Sequence, residues 1–222
     1  MNFACQAGSY KIPWQCNACS LSADLNRQLP MTEEINQQLP KTYINIDKAT
    51  KISGFTMASD VLTCSLLRTL AASKPHSKFL ELGTGTGLST AWILDGMDSE
   101  SSLISIDNEP KFLEVAQEFL GNDKRLNLVC IDGGEWVDNN KRQKFDYIFA
   151  DTWHGKHLLL CEVLCMLNKG GLYIIDDMLP QSNWPEGHHE KATNLINYLE
   201  TREDLFLMKQ VWATGIIVAV KK

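Results

Sequence analysis

The sequence predicts an α/β domain whose mostly parallel, seven-stranded sheet carries helices on both faces and closes with an antiparallel hairpin. Short apolar runs alternate with longer amphipathic segments over residues 53–222, which is the pattern of successive strand–helix–strand units. The last two apolar runs, Leu205–Gln210 and Gly215–Val220, are joined by a short link, so they should run antiparallel to each other. A glycine-rich segment directly after the first strand indicates a ligand-binding edge of the sheet.

Length, composition and charge narrow the class of protein. The chain has 222 residues, of which 44% are hydrophobic and 22% are charged, so we expect one globular domain with a modest appendage. The net charge of -6 disfavours extended nucleic acid and anionic membrane surfaces as main partners. The first residues contain no apolar run of signal-peptide character, so we expect no signal peptide, and no stretch approaches about 18 uninterrupted apolar residues. We therefore expect a cytoplasmic protein that acts on a small molecule.

Residues 1–52 form the predicted appendage. This part is polar, prolines interrupt it, and only Thr32–Leu39 has a capped helical start. Its expected role is to cover part of a pocket or to form a homodimer contact. Cys16 and Cys19 have the spacing of a zinc knuckle, but only Cys5 lies near enough to add a third ligand, whereas a structural zinc needs four. The cysteines are expected to be reduced, because four of the seven lie inside apolar segments: Cys64, Cys130, Cys161 and Cys165.

The regular part of the chain begins with a helix and five strands. A helical pattern runs from Thr56 to Ala72, and Pro75 ends it. Helical segments then separate the predicted strands, which are Lys78–Leu82, Leu103–Asp107, Asn127–Ile131, Tyr147–Asp151 and Leu172–Asp176. The clearest helix is Pro110–Leu120, and its apolar residues share one predicted face: Phe112, Val115, Ala116 and Phe119.

The turn after the first strand has the composition of a cofactor loop. Its sequence, Gly83 to Gly87 with glycine at every second position, leads into a helix, so a ligand can approach bare backbone at a helix N-terminus. A dinucleotide fingerprint needs a third glycine where Leu88 or Thr90 stands. The loop therefore predicts a nucleotide-like cofactor and disfavours NAD.

Together with Glu81, two residues before the first glycine, the loop resembles motif I of the class I S-adenosylmethionine-dependent methyltransferases. The resemblance implies S-adenosylmethionine as cofactor and the Rossmann-like methyltransferase fold. In that family an acidic residue at the end of the second strand binds the ribose hydroxyls, which implies Asp107, and a residue after the third strand holds the adenine, which implies Asp132. The implied cofactor-binding set is Glu81, Gly83, Thr84, Gly85, Gly87, Ser89, Asp107, Asn108, Asp132, Gly133, Asp151 and Trp153.

Three aspartates follow the fourth and fifth strands. Asp151 ends one strand, and Asp176 and Asp177 end its expected neighbour. Adjacent strands lie about 4.8 Å apart, so these carboxylates can converge at one rim of the sheet. Carboxylates that converge need a cation among them, and oxygen ligation suits Mg²⁺, with Ca²⁺ or Mn²⁺ as alternatives. The sequence therefore predicts a divalent metal site.

These carboxylates narrow the resemblance to the metal-dependent O-methyltransferases of the catechol and caffeoyl-CoA type, over roughly Ser53 to Lys222. That family holds its metal with an Asp and an Asp-Asn pair, where this chain has Asp-Asp. His154 stands where the family carries its lysine base, and Lys156 is the second candidate base. Trp153 matches an aromatic that packs on adenine, with a plain core tryptophan as the alternative.

A substrate loop and three functional hypotheses complete the prediction. Residues 179–189 are rich in helix breakers, so Trp184 could wall a substrate, while His188 and His189 are expected to be solvated. The leading hypothesis is metal-assisted O-methylation of a small hydroxylated molecule. The second is a metal-independent or tRNA-nucleoside methyltransferase. The third is a non-catalytic module that binds S-adenosylmethionine, in which the three aspartates would not converge.

Overall fold

The computed structural model describes residues 38–181 and 184–222. The predictions that concern Cys5, Cys16, Cys19 and the helix start at Thr32 lie outside these residues. Over the described part, the chain forms one seven-stranded sheet with helices on both faces. The predicted fold class is therefore confirmed.

The sheet is built from five parallel strands and one antiparallel hairpin. The strands are β1 Lys78–Leu82, β2 Ser102–Asp107, β3 Leu126–Cys130, β4 Phe145–Ala150, β5 Leu167–Ile175, β6 Leu205–Gln210 and β7 Ile216–Lys221. Their spatial order is β3-β2-β1-β4-β5-β7-β6. β1 to β5 pair parallel, and β7 pairs antiparallel with both β5 and β6. The carboxyl ends of the five parallel strands therefore lie along one edge.

The helices are α1 Tyr43–Ser53, α2 Val61–Ala72, α3 Leu88–Gly96, α4 Pro110–Leu120, α5 Gly133–Asn140, α6 Leu160–Met166 and α7 His188–Glu200. They cover both faces because strand side chains alternate between the faces. Phe79 packs with the side chains of α1, α2 and α3, whereas Leu80 packs with those of α5, α6 and α7. None of the helices within the described residues is long and apolar enough to cross a membrane.

Helix α1 joins part of the predicted appendage to the core. The predicted boundary after residue 52 falls inside this helix. Ile46 is fully buried with the core residues on its side of the sheet. The hydroxyl groups of Thr50 and Thr86 are also hydrogen bonded at 2.7 Å. The end of α1 is therefore attached directly to the glycine-rich loop.

Two helical predictions need correction. Helix α2 begins at Val61 and not at Thr56, because the Asp60 side chain accepts a hydrogen bond from the Leu62 amide at 2.7 Å and caps the helix there. In α4 the buried residues are Leu113, Ala116 and Leu120. The predicted apolar face of α4 therefore differs from the observed buried face by a rotation of about one residue. Its first member, Phe112, instead pairs with Phe55 at a ring-centroid distance of 4.6 Å.

Candidate active site

A cavity of about 810 Å³ opens at the carboxyl ends of the parallel strands. Its walls come from the glycine loop, the ends of β2 and β4, the segment 55–60 before α2, and the segment around Trp184. Ligands of open α/β sheets bind at this edge. The topology therefore brings the predicted cofactor loop and the predicted carboxylates to one cavity.

The glycine loop is held by backbone contacts that leave no room for side chains. The amides of Gly83 and Thr84 donate to the Ile106 carbonyl at 2.9 and 3.2 Å. Gly83 has a φ of +108°, and a methyl group there would lie 2.8 Å from the Asp151 carbonyl oxygen. A methyl group at Gly87 would lie 3.0 Å from the Ala116 side chain of α4. Gly87, predicted to bind the cofactor, therefore serves helix packing.

Glu81 lies beneath the loop and not on the cavity wall. Its carboxylate is fully buried and accepts hydrogen bonds of 2.6 Å from three hydroxyl groups, which belong to Ser89, Thr90 and Ser105. Burial raises its pKa to about 7, although the three hydroxyls oppose the rise. The predicted contact between Glu81 and the cofactor therefore needs correction, since its side chain fixes the loop from below.

The ends of β2 and β3 supply polar groups to the cavity. Asp107 accepts from the Gly85 amide at 2.7 Å and from the Glu109 amide at 3.0 Å. Asp132 caps α5 by accepting from the amides of Gly134 and Glu135 at 2.8 and 3.0 Å. The predicted residues that line the cavity here are Thr84, Gly85, Ser89, Asp107, Asn108, Asp132 and Gly133. These residues can hold a nucleotide-like ligand along the loop.

Asp151 has a side chain that is 12% exposed, and each of its carboxylate oxygens has a partner. Lys156 Nζ lies 3.2 Å from Oδ1, and the Ser59 hydroxyl donates to Oδ2 at 2.9 Å. Burial raises the pKa of Asp151, Lys156 opposes the rise, and the nearby Asp177 adds to it. Asp151, Asp177 and Lys156 all line the cavity.

Asp176 is turned into the protein and away from the cavity. It is 1% exposed, and its Oδ1 accepts hydrogen bonds from Thr214, from Thr63 and from the Asp177 amide. Burial and the charges of Asp151 and Asp177 raise its pKa to about 7. The three carboxylates thus lie close enough to interact, as predicted, but only Asp151 and Asp177 line the cavity.

The donor set does not fit a divalent cation. Both carboxylate oxygens of Asp151 accept hydrogen bonds from protein groups, and so does one carboxylate oxygen of Asp176. Within residues 38–181 and 184–222, no group of three His, Cys, Asp or Glu side chains is arranged to hold a metal ion. Two of the three predicted ligands, Asp151 and Asp176, therefore already accept hydrogen bonds from protein donors.

The contacts of His154 are with Asp132 and the start of α5. A methyl group at Gly133 would lie 2.9 Å from His154 Nδ1, and His154 Nε2 is 3.9 Å from Asp132 Oδ1. The ring therefore packs against the start of α5, which follows β3. Of the two candidate bases, only Lys156 contacts Asp151.

Aromatic and imidazole rings form the remaining wall. Trp153 is 41% exposed, which excludes the plain core alternative, and its ring faces Lys191 Nζ at 4.4 Å. The ring centroid of Trp184 lies 4.4 Å from that of His188. The His188 ring centroid in turn lies 5.2 Å from that of His157. Burial, and then the charge of His188, lowers the pKa of His157 to about 4. Since the pKa of His188 is lowered as well, the two imidazoles of this wall are largely uncharged at neutral pH.

The sequence analysis did not predict several of the residues that line the cavity. Ser59 lies in the segment that the apolar pattern assigned to a helix, and Phe55 lies directly before that segment, although Gly54 and the capping residue Asp60 were signals for a loop. His188 was expected to be solvated, yet it packs against Trp184. Only long-range contacts place His157 and His188 together, so no local signal could have found them.

Comparison with known proteins gives a consistent result. A family model described as a methyltransferase domain matches residues 80–178. The chain is 21% identical, over 95% of its length and 92% of the relative's, to a protein named probable caffeoyl-CoA O-methyltransferase 1 from Dictyostelium discoideum. The O-methyltransferase TomG of Streptomyces achromogenes, solved with S-adenosylmethionine, superposes with a TM-score of 0.72 at 17% identity, covering 85% of this chain and 92% of TomG. An O-methyltransferase of Bacillus cereus, solved with S-adenosylhomocysteine, gives 0.72 at 16% identity, with 85% and 94% covered. At these identities, the structural likeness shows the fold.

Proposed function

Because the chain is a class I S-adenosylmethionine-dependent methyltransferase of the O-methyltransferase group, we propose that it methylates an oxygen atom of a small hydroxylated molecule. The observation that carries the proposal is the cavity of about 810 Å³, which has the glycine loop, Asp107, Asp151 and Lys156 on its walls. One cavity can hold methyl donor and acceptor together, and such positioning is a large part of catalysis between two substrates. A cytoplasmic location and a homodimer remain predictions from the sequence.

The glycine loop and the ends of β2 and β3 would hold the cofactor. The bare backbone at Gly83 and Gly85 allows close approach of a ligand. The Asp107 carboxylate can accept hydrogen bonds from two ribose hydroxyls, since an ionised carboxylate is an acceptor only. Asn108, Asp132 and Gly133 would surround the adenine. His154, which packs against Gly133, would contribute to the same wall.

The acceptor would lie between Asp151, Lys156 and the ring wall. When bound, S-adenosylmethionine supplies an electrophilic methyl group, whose bond to sulfur breaks as the acceptor oxygen attacks. The hydroxyl proton leaves to a base at the cavity or to water. Lys156 can act on the acceptor oxygen as a hydrogen-bond donor or, after losing its own proton, as that base. Trp153 and Trp184 would enclose the acceptor and exclude water.

The sequence also predicted that a metal ion assists the reaction. The contacts of Asp151 and Asp176 do not fit a divalent cation, so no step of the proposed reaction is assigned to a metal.

Calorimetric titration with S-adenosylhomocysteine tests the cofactor. Wild type is expected to bind it, and Asp107→Ala is expected to bind at least about tenfold more weakly, since a hydrogen bond to a charged group contributes about 1.5–3 kcal/mol. Asp98→Ala is the matched control, because that carboxylate also accepts backbone amides, those of His76 and Ser101, but at the opposite edge of the sheet. Wild type that does not bind S-adenosylhomocysteine would refute the proposal.

Methyl transfer tests the acceptor. Purified protein with radiolabelled S-adenosylmethionine is offered small phenols and alcohols in one series and tRNA in another. We expect label in the small molecules only. Transfer to tRNA alone would replace the proposed acceptor with a nucleoside.

A further inference from the structure

The Lys156 ammonium lies among the carboxylates that the sequence predicted to bind a metal ion. Taking the proposed function as given, we propose that Lys156 is the fixed cation of the reaction site and acts in place of a divalent metal ion. In this role its ammonium neutralises Asp151 and donates a hydrogen bond to the acceptor's hydroxyl oxygen. Three groups of contacts support this inference.

The first group surrounds Asp151. Lys156 Nζ is 3.2 Å from Oδ1, and the side chains of the two residues are only 9% and 12% exposed. The Ser59 hydroxyl occupies Oδ2 at 2.9 Å. A divalent cation that used Oδ1 would stand beside the ammonium, and like charges at such a distance repel strongly where water is largely excluded. The lysine and a metal ion therefore compete for the same oxygen.

The second group surrounds Asp176. Its Oδ1 accepts from the Asp177 amide at 2.8 Å and from the hydroxyls of Thr63 and Thr214. These donors come from α2, from β5's own end and from the turn before β7. Metal ligation through this oxygen would break contacts that tie three parts of the fold together. Asp176 therefore has a structural role in the observed arrangement.

The third group fixes the backbone that carries Lys156. The Tyr173 hydroxyl donates to the Gly155 carbonyl at 2.5 Å, and the Gly155 amide donates to the Leu158 carbonyl at 2.8 Å. Gly155 has a φ of +84°, and a methyl group there would lie 2.9 Å from the Tyr173 hydroxyl. Lys156 itself is 8% exposed. The ammonium is thus held in one place, as a resident metal ion would be.

The geometry leaves the ammonium free to act on a substrate. An ammonium has three donors, Asp151 takes one of them, and Lys156 lines the cavity. A positive charge next to a hydroxyl group favours its ionised form. The lysine can therefore orient the acceptor oxygen and make it a better nucleophile, which are the two services that a metal ion provides in such a site.

Mn²⁺ binding, followed by water-proton relaxation on protein saturated with S-adenosylhomocysteine, tests the inference. Wild type is expected to bind no Mn²⁺ at micromolar concentrations. Lys156→Met removes the charge and keeps the length of the side chain, so this variant should gain Mn²⁺ affinity by at least about tenfold, since a like charge is removed from the carboxylates. Lys156→Arg is the matched control, because it keeps the positive charge, and it should behave like wild type.

Two outcomes would overturn the inference. One is micromolar Mn²⁺ binding by wild type that Asp151→Asn abolishes, which would restore the metal site. The other is folded Lys156→Met protein whose Mn²⁺ affinity equals that of wild type. Should Lys156→Met fail to fold, Lys156→Gln replaces it, and the wild-type measurement still decides. Binding of S-adenosylhomocysteine is measured on the same samples, so failure of the cofactor proposal is seen separately.

Discussion

The glycine loop depends on the side chain of Glu81 for its position. Its carboxylate accepts three hydroxyl hydrogen bonds, from Ser89 and Thr90 in α3 and from Ser105 in β2. Ser105 is also hydrogen bonded to Thr84 of the loop at 2.6 Å. One buried carboxylate therefore joins β1, β2, α3 and the loop, and a change in its charge should affect all four.

We predict that Glu81 makes the folded protein less stable as the pH rises. Burial raises its pKa from 4.5 to about 7, so between these values the folded state binds more protons than the unfolded state. The contribution of the raised Glu81 pKa to the stability of the folded state is complete below pH 4.5 and is lost as the pH rises through 7. From about pH 5 to about pH 8, the free energy of unfolding of wild type should fall by up to roughly 3 kcal/mol more than that of Glu81→Gln.

Urea unfolding at each pH measures this difference. Asp176 also has a raised pKa, of about 7, but it is present in both proteins, so the comparison removes its contribution. Equal pH dependence in wild type and Glu81→Gln would contradict the assigned role of Glu81.

The glycine loop as an element is shaped by the segment before α2. Gly85 has a φ of +52°, and a methyl group there would lie 2.7 Å from the ring of Phe55. Phe55 in turn packs on Phe112 of α4. The loop, the start of α4 and the segment 54–60 therefore form one contact layer along the cavity.

We predict that Gly85→Ala destabilises the protein more than Gly170→Ala does. Gly170 also has a positive φ, of +76°, but a methyl group there meets nothing within 4 Å. Both variants carry the left-handed backbone penalty of about 1–2 kcal/mol, and only Gly85→Ala must also displace Phe55, which should add about 1 kcal/mol. Urea unfolding gives the two values.

Phe55→Ala provides the control for this contact. In the Phe55→Ala background, Gly85→Ala should cost no more than Gly170→Ala does in wild type. An extra cost at Gly85 that persists without Phe55 would assign the effect to the backbone alone.

The strands and their ends could be predicted from the sequence because the signals are local. Asp107, Asp132 and Asp151 each follow an apolar run, and the glycines fix the first turn. The directions of side chains were harder to predict. Glu81 points inward, where hydroxyl groups from α3 and β2 surround it. The direction of the His154 side chain was hard to predict for the same reason. Its ring contacts Gly133, while the Tyr173 hydroxyl binds the backbone of the loop that carries His154.

The whole molecule has two apolar layers that share one sheet. Along β4, Tyr147 and Phe149 belong to the layer beneath α1, α2 and α3. Ile148 and Ala150 belong to the layer beneath α5, α6 and α7. Every central strand therefore contributes to both layers, and neither layer can lose its packing without disturbing the strands that support the other.

We predict that the described domain unfolds as one unit whichever layer is weakened. Ile93→Ala in α3 and Leu164→Ala in α6 remove buried side chains from opposite layers, and each should lower the free energy of unfolding by about 2–5 kcal/mol. Ile52→Ala, at a position that is 77% exposed, should change it by less than about 0.5 kcal/mol. Circular dichroism and tryptophan fluorescence should report coincident urea transitions in each variant, because the shared sheet couples the layers. Separate transitions for the two probes in either core variant would mean that the layers unfold independently, and the sheet would then not be the element that unites them.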